Sequence, residues 1–87
     1  MRITDVKIFQ FDGESLVAYA NITIDDCFRV NDFRIFRRPT GYYITMPQAK
    51  EKDGKYREVA YALNPETLKM IEDAVIAEYE KVAGKRR

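Results

Sequence analysis

The chain has 87 residues, 46% hydrophobic and 33% charged, with a formal net charge of +1; that is the balance of one small folded domain and excludes a disordered chain. No apolar run approaches the roughly 20 residues that span a bilayer, and Met1-Arg2-Ile3-Thr4-Asp5 lacks the apolar stretch of a secretory signal. The single cysteine, Cys27, allows no internal disulfide and fits a reducing compartment, so a cytoplasmic location is expected.

The first strand reads Arg2 to Phe11, with Val6 and Ile8 alternating against Asp5 and Lys7. Phe9 and Phe11 then take over the apolar phase, which predicts either a bulge near Ile8-Phe9 or cover on both faces. Asp12-Gly13 is a hairpin signal, since glycine reaches positive φ without a Cβ clash. In the second strand, Leu16 to Ile24, Leu16, Ala18, Ala20, Ile22 and Ile24 share one face, and Tyr19, Asn21 and Thr23 the other. Asp25-Asp26 marks the next turn. The third strand, Cys27 to Phe36, puts Phe28 and Val30 in one phase and Phe33 and Ile35 in the other, and a bulge at Asn31-Asp32 reconciles them.

Arg37-Arg38-Pro39-Thr40-Gly41 reads as a loop. Tyr42 to Met46 is a short strand ended by Pro47, which has no N–H for a ladder. Residues 48–54 read as a polar loop ending in Asp53-Gly54, and Tyr56 to Tyr61 as the last strand. Short turns between successive strands predict an antiparallel meander of about five strands.

A helix follows. Asn64 can cap its orphan N–H groups, Pro65 suits its first position, and Gly84 is the expected left-handed stop. At 100° per residue Leu68, Ile71, Val75, Tyr79 and Val82 form one stripe, which must cover the apolar face of the sheet. Met70, Ala74 and Ala77 form a smaller second stripe, read either as good helix formers or as a partner contact. The expected fold is therefore α+β: an antiparallel sheet with one amphipathic C-terminal helix packed on it. Residues 1–84 make the domain and Lys85-Arg86-Arg87 a basic tail.

The residues offer little for catalysis. Histidine, the commonest general base, is absent. Ser15 has no nucleophile-elbow context, Cys27 has no histidine partner, and Asp25-Asp26 reads as a turn rather than as converging carboxylates. Asp12-Gly13-Glu14 and Asp53-Gly54 lack the length of a calcium loop. No enzyme activity, metal, cofactor or small-molecule substrate is expected.

Charge is unevenly spread. Residues 27–57 carry eight Lys/Arg against three Asp/Glu, whereas the segments on either side are acidic. Lys50, Lys52, Lys55 and Arg57 cluster around the last turn, and Arg37 and Arg38 occupy the preceding loop. Such side chains can follow a phosphate backbone and release its counterions, and Tyr42, Tyr43 and Tyr56 can stack on unpaired bases. Glu51, Asp53 and Glu58 interleave with the bases, so charge alone favours an ordinary solvated loop over a nucleic-acid site.

Several runs, taken together and in order, carry a resemblance: Thr4-Asp5-Val6; Ile22-Thr23-Ile24-Asp25-Asp26 with Phe28, Val30 and Asp32; Met46-Pro47; Asp53-Gly54; Tyr56-Arg57; Asn64; and Ile71 with Ala74-Val75-Ile76-Ala77-Glu78-Tyr79-Glu80. From about Ile3 to Val82 the chain resembles the SpoVG family (stage V sporulation protein G), bacterial regulators of septation and gene expression. The resemblance implies an antiparallel sheet with a C-terminal helix, a homodimer, and binding of DNA, with RNA in some members. It implies phosphate contacts at Lys50 and Arg57, to which Lys52 and Lys55 add charge.

The chain departs from the family where Ala49-Lys50-Glu51 replaces a Lys-Arg pair and where Tyr61-Ala62 replaces a His-Pro pair. It departs again at the helix start, where Leu68 and Met70 stand in place of basic residues and Lys69 alone keeps a charge. Phosphate contacts position a protein while base contacts specify sequence, so the preferred sequence is left open. The expected function is a dimeric nucleic-acid-binding regulator of gene expression and cell division. The alternative is a protein-interaction adaptor in cell division, using a sheet edge or the Met70-Ala74-Ala77 stripe.

Overall fold

A computed structural model describes residues 1–84; the basic tail expected at 85–87 lies outside the described residues. The elements run β1 (Ile3–Gln10), β2 (Leu16–Ile24), β3 (Phe28–Arg38), β4 (Gly41–Thr45), β5 (Gln48–Lys50), β6 (Tyr56–Glu58) and α1 (Pro65–Gly84). β1 to β4 form an antiparallel sheet in sequential order, and β5 and β6 form a separate two-stranded ribbon. The α+β class holds, but the single meander of about five strands is six strands in two sheets.

Register decides which side chains meet the helix. Val6 lies opposite Ile22, and Ile8 opposite Ala20. Across β2, Ala18, Ala20 and Ile22 meet Ile35, Phe33 and Val30, and Ile35 meets Ile44. Between Ala20 and Ile22 a single residue, Asn21, faces Asn31 and Asp32. This is the expected bulge: Asp32 sits at φ 73°, and its N–H donates to Asn21 Oδ1 at 3.2 Å. The extra residue brings Phe28, Val30, Phe33 and Ile35 onto one face. A second irregularity between Leu16 and Ala18 sets Leu16 opposite Phe36, so Leu16 leaves the face shared by Ala18, Ala20 and Ile22.

The first strand corrects its reading. No register shift occurs at Ile8-Phe9; the one in β1 falls between Ile3 and Asp5. Nor are both faces covered, because Phe9 and Phe11 are each 52% exposed. Gly13 is also needed for another reason than a positive φ. A Cβ there would stand 2.6 Å from the Leu16 carbonyl oxygen and 2.9 Å from the Phe11 ring, so close approach, not turn geometry, selects glycine. The turn between β2 and β3 is as expected, with Asp25 and Asp26 both at positive φ. Asp25 Oδ1 accepts from the Arg2 N–H at 2.9 Å, and Thr4 Oγ1 accepts from the Asp26 N–H at 2.9 Å. The Asp25 carboxylate and the Asp26 backbone N–H thus tie this turn to the start of β1.

The helix begins as its sequence dictates: Asn64 Oδ1 accepts from the Thr67 N–H at 2.8 Å, which satisfies one of the orphan donors. Ile71, Val75 and Tyr79 are buried against the sheet, with Ile76 and Ala83 packed at the margin. Leu68 is not part of this contact; it is 37% exposed. Gly84 remains helical, with no positive φ, so it is not a left-handed stop within the described residues. Tyr42 meets Tyr79 edge-on at 5.0 Å between ring centroids. Burial, and secondly the neighbouring Tyr42, push the Tyr79 hydroxyl above its ordinary value near 10, with Arg37 opposing them.

Candidate nucleic-acid interface

The expected cationic residues fall into three places. Four lie on the β5–β6 ribbon and its turn. Lys50 ends β5 opposite Tyr56, and Arg57 lies opposite Ala49. Opposed residues share a face and successive residues alternate, so Lys50 and Arg57 project from opposite faces of the ribbon. The segment expected to be a polar loop therefore contains a strand, and β6 stops at Glu58 rather than at Tyr61. Between the two strands the Glu51 N–H donates to the Lys55 carbonyl at 2.7 Å, and the Lys55 N–H donates to Asp53 Oδ1 at 2.9 Å. Gly54 sits at φ 88°, where a side chain would be strained. This tight turn holds Lys52 and Lys55 at the ribbon tip, both exposed. Arg57 Nε lies 3.9 Å from Glu51 Oε2, with both side chains well exposed. Such a pair is worth little and is easily exchanged for a ligand.

Arg37 and Arg38 end β3 and separate. Arg37 pairs with Tyr42 on the helix side, beside Tyr79. Arg38 projects to the other side, its guanidinium 4.4 Å from the centroid of the Tyr43 ring. Lys69 lies on the exposed face of α1, its Nζ 3.3 Å from Asp73 Oδ2. The ribbon cations are thus gathered, Arg38 belongs to the sheet, and Lys69 stands apart on the helix. Of the tyrosines expected to stack on bases, Tyr42 is committed to Tyr79, whereas Tyr43 and Tyr56 remain on the side away from the helix.

That side is the surface the sequence reading missed. Phe9 is opposite Tyr19, Tyr19 opposite Arg34, and Arg34 opposite Thr45, making one row across the sheet. A second row sets Phe36 against Tyr43, their rings stacked at 5.2 Å. Phe11 meets Tyr19 edge-on at 6.2 Å. Arg34 joins this face to the ribbon: its Nη1 donates to Gln48 Oε1 at 3.2 Å, and its guanidinium stands 5.9 Å from the Tyr56 centroid. Gln48, Lys50, Tyr56 and Glu58 share one ribbon face by register, so Lys50 extends the aromatic face while Arg57 points away from it. The signal in the sequence was the out-of-phase pair Phe9 and Phe11. Their partners come from β2, β3 and β4, so only the register brings them together.

A groove of about 570 Å³ runs beside β4, lined by Ile44, Met46, Tyr61, Leu63 and Leu68 among others. Leu63 is 86% exposed and Tyr61 63%. Asp5, Asp25 and Asp26 do not line it. Among the described residues no helix is long and apolar enough to cross a membrane.

These features define a small antiparallel α+β domain with a helix on one sheet face and a cationic, aromatic surface on the other. Compared with known proteins, the chain matches the SpoVG family profile over residues 1–81. It is 43% identical over 81 residues to a Bdellovibrio bacteriovorus protein, covering 93% of this chain and 75% of the relative. It is 41% identical to one from Myxococcus xanthus, covering 93% and 82%, and 43% identical over 83 residues to one from Phytoplasma australiense, covering 94% and 86%. Each of these relatives bears the name "Putative septation protein SpoVG". The chain belongs to the SpoVG family.

Proposed function

We propose that this protein is a cytoplasmic, non-enzymatic regulator of septation and gene expression that binds nucleic acid as a homodimer. The septation role rests on the names of its relatives. The observation that carries nucleic-acid binding is the ribbon, whose Lys50, Lys52, Lys55 and Arg57 are all exposed, Lys52 and Lys55 on a tip shaped by Gly54. With Lys50 and Arg57 on opposite faces, phosphates can be met from both sides, as when a two-stranded ribbon lies in a groove. Arg38 and Arg34 extend the positive field along the adjoining sheet face, while Arg37 and Lys69 contribute from farther away. The dimer contact we assign to the outer edge of β4, the last strand in the sheet order among the described residues, and the groove beside it, where Leu63, Tyr61 and Leu68 present apolar surface.

The test is fluorescence anisotropy with short labelled duplexes and single strands, run alongside light scattering. The reading predicts binding at low salt that weakens as salt rises, and a dimer that Leu63→Asp converts to a monomer. An adaptor that acts without nucleic acid predicts no oligonucleotide binding, together with a protein pull-down that survives nuclease.

A further inference from the structure

We infer that the sheet face turned away from the helix is a stacking platform for unpaired bases, so that the ligand it takes is a single-stranded nucleic acid; this rests on the proposed nucleic-acid binding and assigns it a surface. The face is aromatic and open: Phe9, Phe11 and Tyr56 are more than half exposed, and Tyr19, Phe36 and Tyr43 are only partly buried. A contiguous patch of exposed rings marks an interaction surface, and a nucleobase offers it a flat apolar face without regard to its identity. Bases inside a duplex keep their faces covered by their neighbours, so only an unpaired strand can use such rings.

Charge chooses this occupant over a second copy of the chain. By register, Lys7, Arg29, Arg34 and Arg38 share the sheet face with Asp5, and Asp32 lies beside them in the bulge opposite Asn21. Lys50 and Glu58 join them on the ribbon. Two copies meeting face to face about a two-fold axis would press this positive excess against itself and desolvate arginines without counterions. A polyanion would neutralise the same excess. The arrangement also alternates: Arg34 lies between Tyr19 and Tyr56, and Arg38 lies on Tyr43, so guanidiniums stand beside ring faces where phosphates flank stacked bases.

The test uses labelled single strands of about 12 nucleotides, within the span such platforms hold, and a duplex of the same length. Phe9→Leu and Tyr43→Leu keep apolar bulk and remove the ring. Each is expected to weaken single-strand binding roughly 5- to 150-fold, to leave duplex binding within about twofold, and to leave the circular dichroism spectrum unchanged. In a Phe9→Trp variant, the only tryptophan of the chain is expected to be quenched by the single strand and not by the duplex.

Unquenched tryptophan, or leucine variants that bind single strands as the parent does, overturns the platform. If Lys50→Ala with Arg57→Ala then still weakens binding, nucleic-acid binding itself stands. Absence of binding by either form of nucleic acid at low salt overturns both. A change in molecular mass caused by the leucine variants shows a second copy on the face and overturns the platform as well.

Discussion

Ile35→Ala and Phe9→Ala test the two-sidedness of the sheet, because both remove large apolar side chains but from opposite faces. Ile35 is fully buried in a central strand, between Ala18 and Ile44 and in one core cluster with Val75 of the helix. Truncating such a residue costs its transfer energy plus a cavity, about 2–5 kcal/mol. Phe9 is 52% exposed, so about half of the roughly 1.5–3 kcal/mol for a large side chain is at stake, near 1 kcal/mol. A domain of 87 residues has roughly 4–13 kcal/mol in total. Ile35→Ala should therefore lower Tm by more than about 10 °C, and Phe9→Ala by about 4–8 °C. Thermal melts followed by circular dichroism give both values without a tryptophan. A Phe9→Ala cost equal to or above that of Ile35→Ala would refute the assignment, since it would mean that the outer face is covered.

Thr45 Oγ1 is buried without a hydrogen-bond partner among the described residues; Thr45→Val keeps the shape and should stabilise the domain by about 1 kcal/mol, whereas a lower urea midpoint would show that the hydroxyl is satisfied. The raised pKa of Tyr79 means the folded state holds that proton more tightly than the unfolded chain does. Its contribution is thus complete below about pH 10 and is lost as pH rises from there through the raised value. Melts across that range should show a downward slope in stability that becomes shallower in Tyr79→Phe; an unchanged slope would assign it to other tyrosines. Val75, fully buried on the helix, should not tolerate Asp: Val75→Asp should unfold the domain, and a retained cooperative melt would contradict the packing of α1 on the sheet.

Much of this architecture follows from local rules. The Asn31-Asp32 bulge was legible because Phe28 and Val30 can share a face with Phe33 and Ile35 only if one residue is inserted. The cap at Asn64 and the Ile71-Val75-Tyr79 contact follow from helix chemistry and period. Leu68 has the right period yet lies on a groove that no element fills, since periodicity fixes a direction but not whether something stands there. β5 was hidden, and β6 overrun to Tyr61, because the ribbon strands are three residues long and polar. Phe9 and Phe11 read as core residues in the wrong phase because large aromatics are usually buried; an exposed aromatic face becomes visible only when Tyr19, Arg34, Phe36 and Tyr43 are aligned from separate strands. For the same reason Lys50 and Arg57 looked like one cluster although the register turns them apart.

The central claim is that ribbon cations hold phosphate, and its most direct measurement is the slope of log affinity against log salt for a labelled oligonucleotide. Each phosphate contact contributes about 0.7 to the slope for a single strand and about 0.9 for a duplex. Lys50→Ala with Arg57→Ala should therefore weaken binding and flatten the slope by roughly 1.4–1.8, with Tm unchanged because both side chains are exposed. Binding that ignores salt, or a double variant whose slope matches the parent's, would contradict the account.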